Sequence, residues 1–319
     1  MRLFYGNDHE VFVLRDDEGV NITALLMDLP HLRREDLMAA LIANFDSHRA
    51  RIEAHVKTAA GQPLDSIRIR APLPRPRNIV CMATNYMEDG TLPEAPPINA
   101  FHKVSNAVIG PDDTMILPDA PASNFECEAE FAVVIGKRAA NVSEADAMNH
   151  VFGYMNFLDG SARGLPPDRN VFFQGKSRET FAPMGPWIVT ADEISDPYDI
   201  ALKLWVNGVL KQNFHASDMA HNIARCISWV SSIHALEPGD VLATGTNHRG
   251  LSSIQHDDTI ELECTHLGRL RIKVRDDLRR TWPRDTRLER TTQGLPPLPP
   301  QTSGKYAATD AQAKEKAGA

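Results

Sequence analysis

An α+β fold is the class this sequence predicts, and three observations carry it. Residues 125–136 read as one long β-strand. Shorter alternating segments pair off as hairpins, the clearest around Asn207-Gly208, a strong tight-turn signal. Helical spacing is confined to a few stretches, chiefly about Arg33 to Thr58, Val142 to Ala147 and Met219 to His234. A chain of 319 residues is long enough for one large domain plus a small one.

Residues 1–72 read as the small unit. Leu3 to Leu14 gives strands around an Asn7-Asp8 turn. The helix that follows puts Leu37, Leu41, Phe45 and Ile52 on one face, and Ile67 to Arg70 alternates like a short strand. Pro72, Pro74 and Pro76 form a stiff linker into a main domain at 73–287. That domain opens on the apolar strand Ile79 to Ala83, followed by Thr84-Asn85-Tyr86-Met87-Glu88-Asp89-Gly90 and a proline-rich loop to Asn99. Ser143 is the expected cap of the helix beginning near it. Val151 to Leu158 is a strand that delivers Asp159 at its end. Val241 to Thr244 opens into Gly245-Thr246-Asn247-His248-Arg249-Gly250, and residues 260–264 and 270–274 make a final hairpin. The segment 288–319 is rich in Pro, Gln, Thr, Lys and Ala and reads as a flexible tail.

A net charge of −8 and a pI near 5.8 give no electrostatic case for nucleic acid or membrane partners. No apolar run approaches the roughly 20 residues of a spanning helix, and the start lacks the apolar segment of a signal peptide. Four widely spaced cysteines fit reduced thiols in a cytoplasmic protein.

The chemistry concentrates in the long strand. Alternation places Glu126, Glu128 and Glu130 on one face and Cys127, Ala129, Phe131, Val133 and Ile135 on the other. Carboxylates at i and i+2 repel and raise one another's pKa. A solvated strand end tolerates that; a partly buried one needs a cation, and hard divalent ions suit oxygen ligands.

Taken together and in order, the segments Glu128 to Gly136, Gly153 to Arg163, Lys176 with Pro183-Met184-Gly185-Pro186, and Leu236 to Asp240 with Thr244-Gly245-Thr246 resemble the fumarylacetoacetate hydrolase family of metal-dependent enzymes acting on acylpyruvates and related 2-oxo acids. The likeness covers about residues 77 to 276. It implies a mixed β-sheet roll or sandwich with flanking helices, a small-molecule 2-oxo acid substrate and a homodimer. It makes Glu128, Glu130 and Asp159 the ligands of Mg²⁺ or Mn²⁺, with Ca²⁺ as a further option, and leaves Glu126 outside that set. It makes Lys176 the cation that holds the substrate carboxylate and steadies an enolate. Arg163, Thr180, Thr246 and Tyr154 are the expected substrate contacts.

The sequence departs from the family at the water-activating pair and at Pro166, where the family often carries a glutamine. The water-activating pair, written Asn-Tyr-x-x-His-x-x-Glu, falls here on Asn85-Tyr86 followed by Asp89 and Leu92. Glu88, Asp89 and His102 are then the candidate bases, with His248 another. Two enzymatic readings follow, C–C hydrolysis of an acylpyruvate in aromatic catabolism, or isomerisation, tautomerisation or decarboxylation of a related 2-oxo diacid. A non-catalytic metal-dependent binding protein is the third.

Overall fold

The computed structural model describes residues 1–167 and 172–307. The N-terminal part contains β1 (Arg2–Gly6), β2 (Glu10–Arg15), β3 (Glu18–Asn21), α1 (Leu37–Ala43), α2 (Phe45–Thr58), β4 (Gln62–Pro63) and β5 (Ile69–Arg70). The helix expected from 33 to 58 is interrupted at Asn44. There the backbone leaves helical geometry and the Asn44 amide donates to Ala40 O, a local bond that competes with the helical ladder.

Next come β6 (Ile79–Met82), β7 (Ala100–Lys103), β8 (Val108–Ile109), β9 (Thr114–Ile116), β10 (Asn124–Ile135), α3 (Glu144–Ala147), β11 (Val151–Arg163), α4 (Phe172–Lys176) and β12 (Ala182–Thr190). The remaining elements are β13 (Ala201–Val206), β14 (Val209–His215), α5 (Ile223–Ile233), β15 (Val241–Ala243), β16 (Thr259–Cys264), β17 (Arg269–Arg275) and α6 (Arg287–Thr292). Local chemistry explains several boundaries. Ser143 caps α3 by accepting from Asp146 N, and Asn222 caps α5 through Arg225 N. Asn207 and Gly208 both take positive φ, 52° and 76°, in the β13–β14 turn.

Among the described residues two mixed sheets form the framework, one of twelve strands and one of five, the latter ordered β14-β13-β16-β17-β9. The path through the large sheet runs β4-β3-β2-β1-β12-β11-β10-β15-β6-β7. Segment 1–72 therefore joins the main sheet edge to edge, Arg2 and Leu3 pairing with Val189 and Ile188. One apolar cluster fills the space between the sheets, with Phe125, Phe131, Tyr154 and Leu158 meeting Leu204, Leu262 and Ile272. A second covers the other face, where Ala132, Val134 and Phe157 meet Leu37, Leu41 and Ile52. Because the large sheet is covered on both faces, all twelve residues of β10 are buried.

After β17, α6 starts with a Thr286–Glu289 capping box, and Arg290 is buried. Residues 302 and 303 then bond to Thr281. Residues 308–319 of the expected tail lie outside the described residues. All four cysteines are free and buried. Among the described residues no helix is long and apolar enough to cross a membrane.

Candidate active site

The long strand and its neighbour build the centre. β10 and β11 pair antiparallel with Glu128 directly opposite Asp159, Glu130 opposite Phe157 and Glu126 opposite Ser161. Opposed residues share a face, so register alone brings Glu128 and Asp159 together. Oxygens of Glu128, Glu130 and Asp159 lie within 4.8 Å of one another, and all three residues are buried. Asp159 does not end its strand as the sequence suggested; β11 continues to Arg163. That continuation carries the Arg163 guanidinium back onto Glu126, at 2.8 Å, and onto Glu128.

Lys176, at the end of α4, donates to Glu128 Oε2 at 2.8 Å and Asp159 Oδ2 at 2.5 Å. Its ammonium also lies over the Phe101 ring. Burial alone would lower the Lys176 pKa, but Asp159 and Glu128 outweigh it and hold the group above its ordinary value. Glu128 is the reverse case: burial pushes it up, yet Lys176 and Arg163 hold it well below the usual carboxylate range. Among the described residues Glu130 lacks such a partner. Burial, with Asp159 and Glu128 beside it, drives its carboxyl well above that range, and its hydrogen bond comes from Gly245 N at 2.7 Å. Three buried hard-oxygen donors converging on one point, one of them without a cation of its own, fit a hard divalent ion.

Two charged residues escaped the sequence reading. Lys103 is fully buried, donating to Asp159 Oδ1 at 2.5 Å and to Gly160 O at 3.1 Å. Arg287, on α6, grips both oxygens of Glu126 at 2.9 and 2.5 Å. Glu126 itself, left outside the ligand set by the resemblance, is fully buried between Arg163 and Arg287. Lys103 did leave a trace, because alternation in β7 puts it on the same face as buried Phe101. Nothing local to Arg287 marks it.

The other expected residues divide. Glu88 and His248 come together, the ring Nδ1 lying 2.6 Å from Glu88 Oε1. Asp89 is more exposed and accepts from Asn247 Nδ2 at 3.0 Å. His102 faces the opposite way from Lys103, outward and beside His234 at 5.2 Å between ring centroids. Tyr154 lies on the face of β11 opposite Asp159 and packs against Phe131 in the inter-sheet core. Thr180 Oγ1 accepts from Ile116 N, and Thr246 Oγ1 accepts from Gln212 Nε2. Asn85 ties the site loops together, bonding Thr244 O, His221 O and His221 N.

A buried carboxylate centre charged with lysines is set on a two-sheet α+β frame. The chain belongs to the fumarylacetoacetate hydrolase family: the family model for the fumarylacetoacetate (FAA) hydrolase C-terminal region matches residues 78–275. Among solved structures, maleylpyruvate hydrolase from Sphingobium sp. SYK-6, in complex with manganese(II) and pyruvate, is similar with a TM-score of 0.78 at 34% identity. That likeness covers 86% of this chain and 99% of the other. The mitochondrial oxaloacetate tautomerase fahd2 of Xenopus laevis is 38% identical over 188 residues, 57% of this chain and 58% of its own length. The oxaloacetate tautomerase YisK of Bacillus subtilis is 38% identical over 191 residues, 57% of this chain and 63% of its own. This chain thus spans somewhat under two thirds of those two relatives.

Proposed function

We propose that the enzyme hydrolyses the C–C bond of an acylpyruvate-type 2-oxo acid, releasing a carboxylic acid and a pyruvate-type product. The observation that carries this reading is the convergence of Glu128, Glu130 and Asp159 beside Lys176. These three carboxylates are the residues that would hold Mg²⁺ or Mn²⁺, which supplies electrophilic stabilisation of an enolate oxygen when bound. Lys176 contributes a buried, permanently charged donor that binds the substrate carboxylate and favours negative charge developing in the enolate. Lys103 orients Asp159, and Arg163 orients Glu128 and helps keep it ionised. Similarity to a maleylpyruvate hydrolase over nearly the whole of that protein supports the hydrolase reading.

A second reading, tautomerisation of a 2-oxo diacid, is favoured by the oxaloacetate tautomerases among the relatives. It needs the same enolate but no attacking water. Purified protein incubated with Mn²⁺ and acylpyruvates separates the two. Hydrolysis yields pyruvate, measured with lactate dehydrogenase, whereas tautomerisation changes enol absorbance with no pyruvate formed. Asp159→Asn is expected to abolish turnover and weaken Mn²⁺ binding read by electron paramagnetic resonance; unchanged Mn²⁺ affinity in that variant refutes the ligand assignment.

A further inference from the structure

The family's histidine and glutamate positions hold Asp89 and Leu92, yet a histidine–glutamate pair is present, assembled from elsewhere. Glu88 comes from the loop after β6 and His248 from the loop after β15, 160 residues apart. The pair is doubly held. His248 N donates to Glu88 Oε2 at 2.9 Å, while Nδ1 sits 2.6 Å from Oε1. A carboxylate only accepts, so Nδ1 carries the proton and Nε2 is left with its lone pair. Among the described residues Nε2 has no hydrogen-bond partner. The ring borders a cavity of about 380 Å³ lined also by Thr91, Arg249, Arg287 and Leu288. Arg287, which lines that cavity, grips Glu126, and Glu126 shares Arg163 with Glu128.

The backbone is bent to make this pair. Glu88 and Asp89 are both left-handed, φ 54° and 58°, and Gly90 continues at 70°. Each non-glycine residue in that region costs about 1–2 kcal/mol, and such conformations persist only where the surroundings impose them. Here Asp218 accepts from Met87 N and Asp89 N, Asn247 donates to Asp89, and Arg249 donates to Glu88 O. These bonds hold the backbone turn that carries Glu88. Asp89 offers no comparable base, since Asn247 and Arg249 occupy its carboxylate. His102 is on the outer side of β7.

We propose that His248 Nε2 is the general base of the hydrolysis, with Glu88 as its positioning residue; this rests on the hydrolase reading above. Water gives a proton to Nε2 as its oxygen adds to the distal carbonyl carbon. The C–C bond then breaks, its electron pair passing to the enolate of the 2-oxo acid fragment, and the other fragment leaves as a carboxylic acid. The imidazolium returns the proton to the enolate carbon, giving the ketone and restoring the base. Glu88 keeps the ring in one tautomer and stabilises its charged form throughout.

The test uses the full chain loaded with Mn²⁺ and His248→Asn, whose side-chain amide reproduces Nδ1–H toward Glu88 but offers nothing in place of Nε2. Expected are a 10²- to 10⁴-fold fall in kcat, KM within a few-fold of wild type, and unchanged Mn²⁺ binding. His248→Ala is expected to recover part of its lost rate on addition of free imidazole, which a purely structural histidine does not do. Glu88→Gln is expected to lose about 10- to 100-fold in kcat, less than His248→Asn because the base itself remains. His248→Asn hydrolysing within threefold of wild type, or His248→Ala losing activity with no response to imidazole while binding Mn²⁺ normally, overturns the dyad. Wild-type protein that forms no pyruvate from any acylpyruvate overturns the hydrolase reading itself, whatever the variants do.

Discussion

Arg287→Gln is the sharpest probe of how the site is held. Glu126 is fully buried, and Arg287 supplies contacts to both of its oxygens while Arg163 reaches only Oε2. Removing one partner from a buried ion pair costs about 3–5 kcal/mol, because the remaining charge stays desolvated. Arg163 keeps part of the compensation, which places the expected loss near the lower end, about 3 kcal/mol. For a chain of this length the unfolding entropy is about 0.7 kcal/mol per kelvin, so the melting temperature is expected to fall by about 4 °C. The assay is differential scanning calorimetry of wild type, Arg287→Gln, Glu126→Gln and the double variant. With the charge and its partner both removed, nothing is left buried and unpaired, so the double variant is expected to be more stable than the sum of the singles by about 2 kcal/mol or more. A shift under 1 °C for Arg287→Gln, or strictly additive singles, refutes the claim that α6 anchors the centre through this charge.

Four further outcomes are expected. Mn²⁺ at about 100 times its dissociation constant stabilises the protein by about 2.7 kcal/mol, seen as a rise of about 4 °C in melting temperature that EDTA reverses; no shift in either direction counts against a folded-state metal site. Gly245→Ala, at φ 86° with a new Cβ about 3.0 Å from that of Asn85, displaces the amide that donates to Glu130 and weakens Mn²⁺ binding in titration calorimetry. Lys176→Met lowers kcat by about 10²–10³-fold in the pyruvate assay while Mn²⁺ binding persists. His102 is held below the ordinary histidine value by burial and by His234. The unfolded chain therefore binds more protons, and stability falls as pH drops through the usual histidine range toward the depressed value; urea midpoints of His102→Asn are expected to vary less between pH 7 and pH 5.

The convergence of Glu128, Glu130 and Asp159 was legible because its signal is local or nearly so. Alternation alone puts Glu128 and Glu130 on one face, and an aspartate in the following strand needs only the right register to join them. The register is what the sequence does not state, and it decides that Asp159 faces Glu128 while Tyr154 turns into the inter-sheet core. Lys103 and Arg287 were missed for a different reason. A lysine or arginine in a short polar stretch has the same local pattern on a surface as in a buried pair. Only the fold, which brings β7 against α4 and α6 against β10, separates the two cases. Glu88 and His248 were each visible as candidate bases, but their pairing spans two distant loops that no periodicity links.

The charge inventory explains why so many carboxylates survive burial together. Glu126, Glu128, Glu130 and Asp159 face Lys103, Lys176, Arg163 and Arg287. Those contacts are uneven: among the described residues Glu126, Glu128 and Asp159 each touch two cations, while the Glu130 carboxylate touches only a backbone amide. Counted with every group ionised the cluster's formal charges cancel, and the corner at Glu130, where the carboxyl is driven up for want of a cation, is the one that added positive charge suits. A divalent ion would leave the cluster with two net positive charges, which a dianionic 2-oxo diacid neutralises and a monoanion does not. On this argument the two-carboxylate substrate is the better fit, and comparing KM for matched mono- and diacid acylpyruvates at rising ionic strength checks it: the diacid's advantage is expected to shrink as salt screens the interaction.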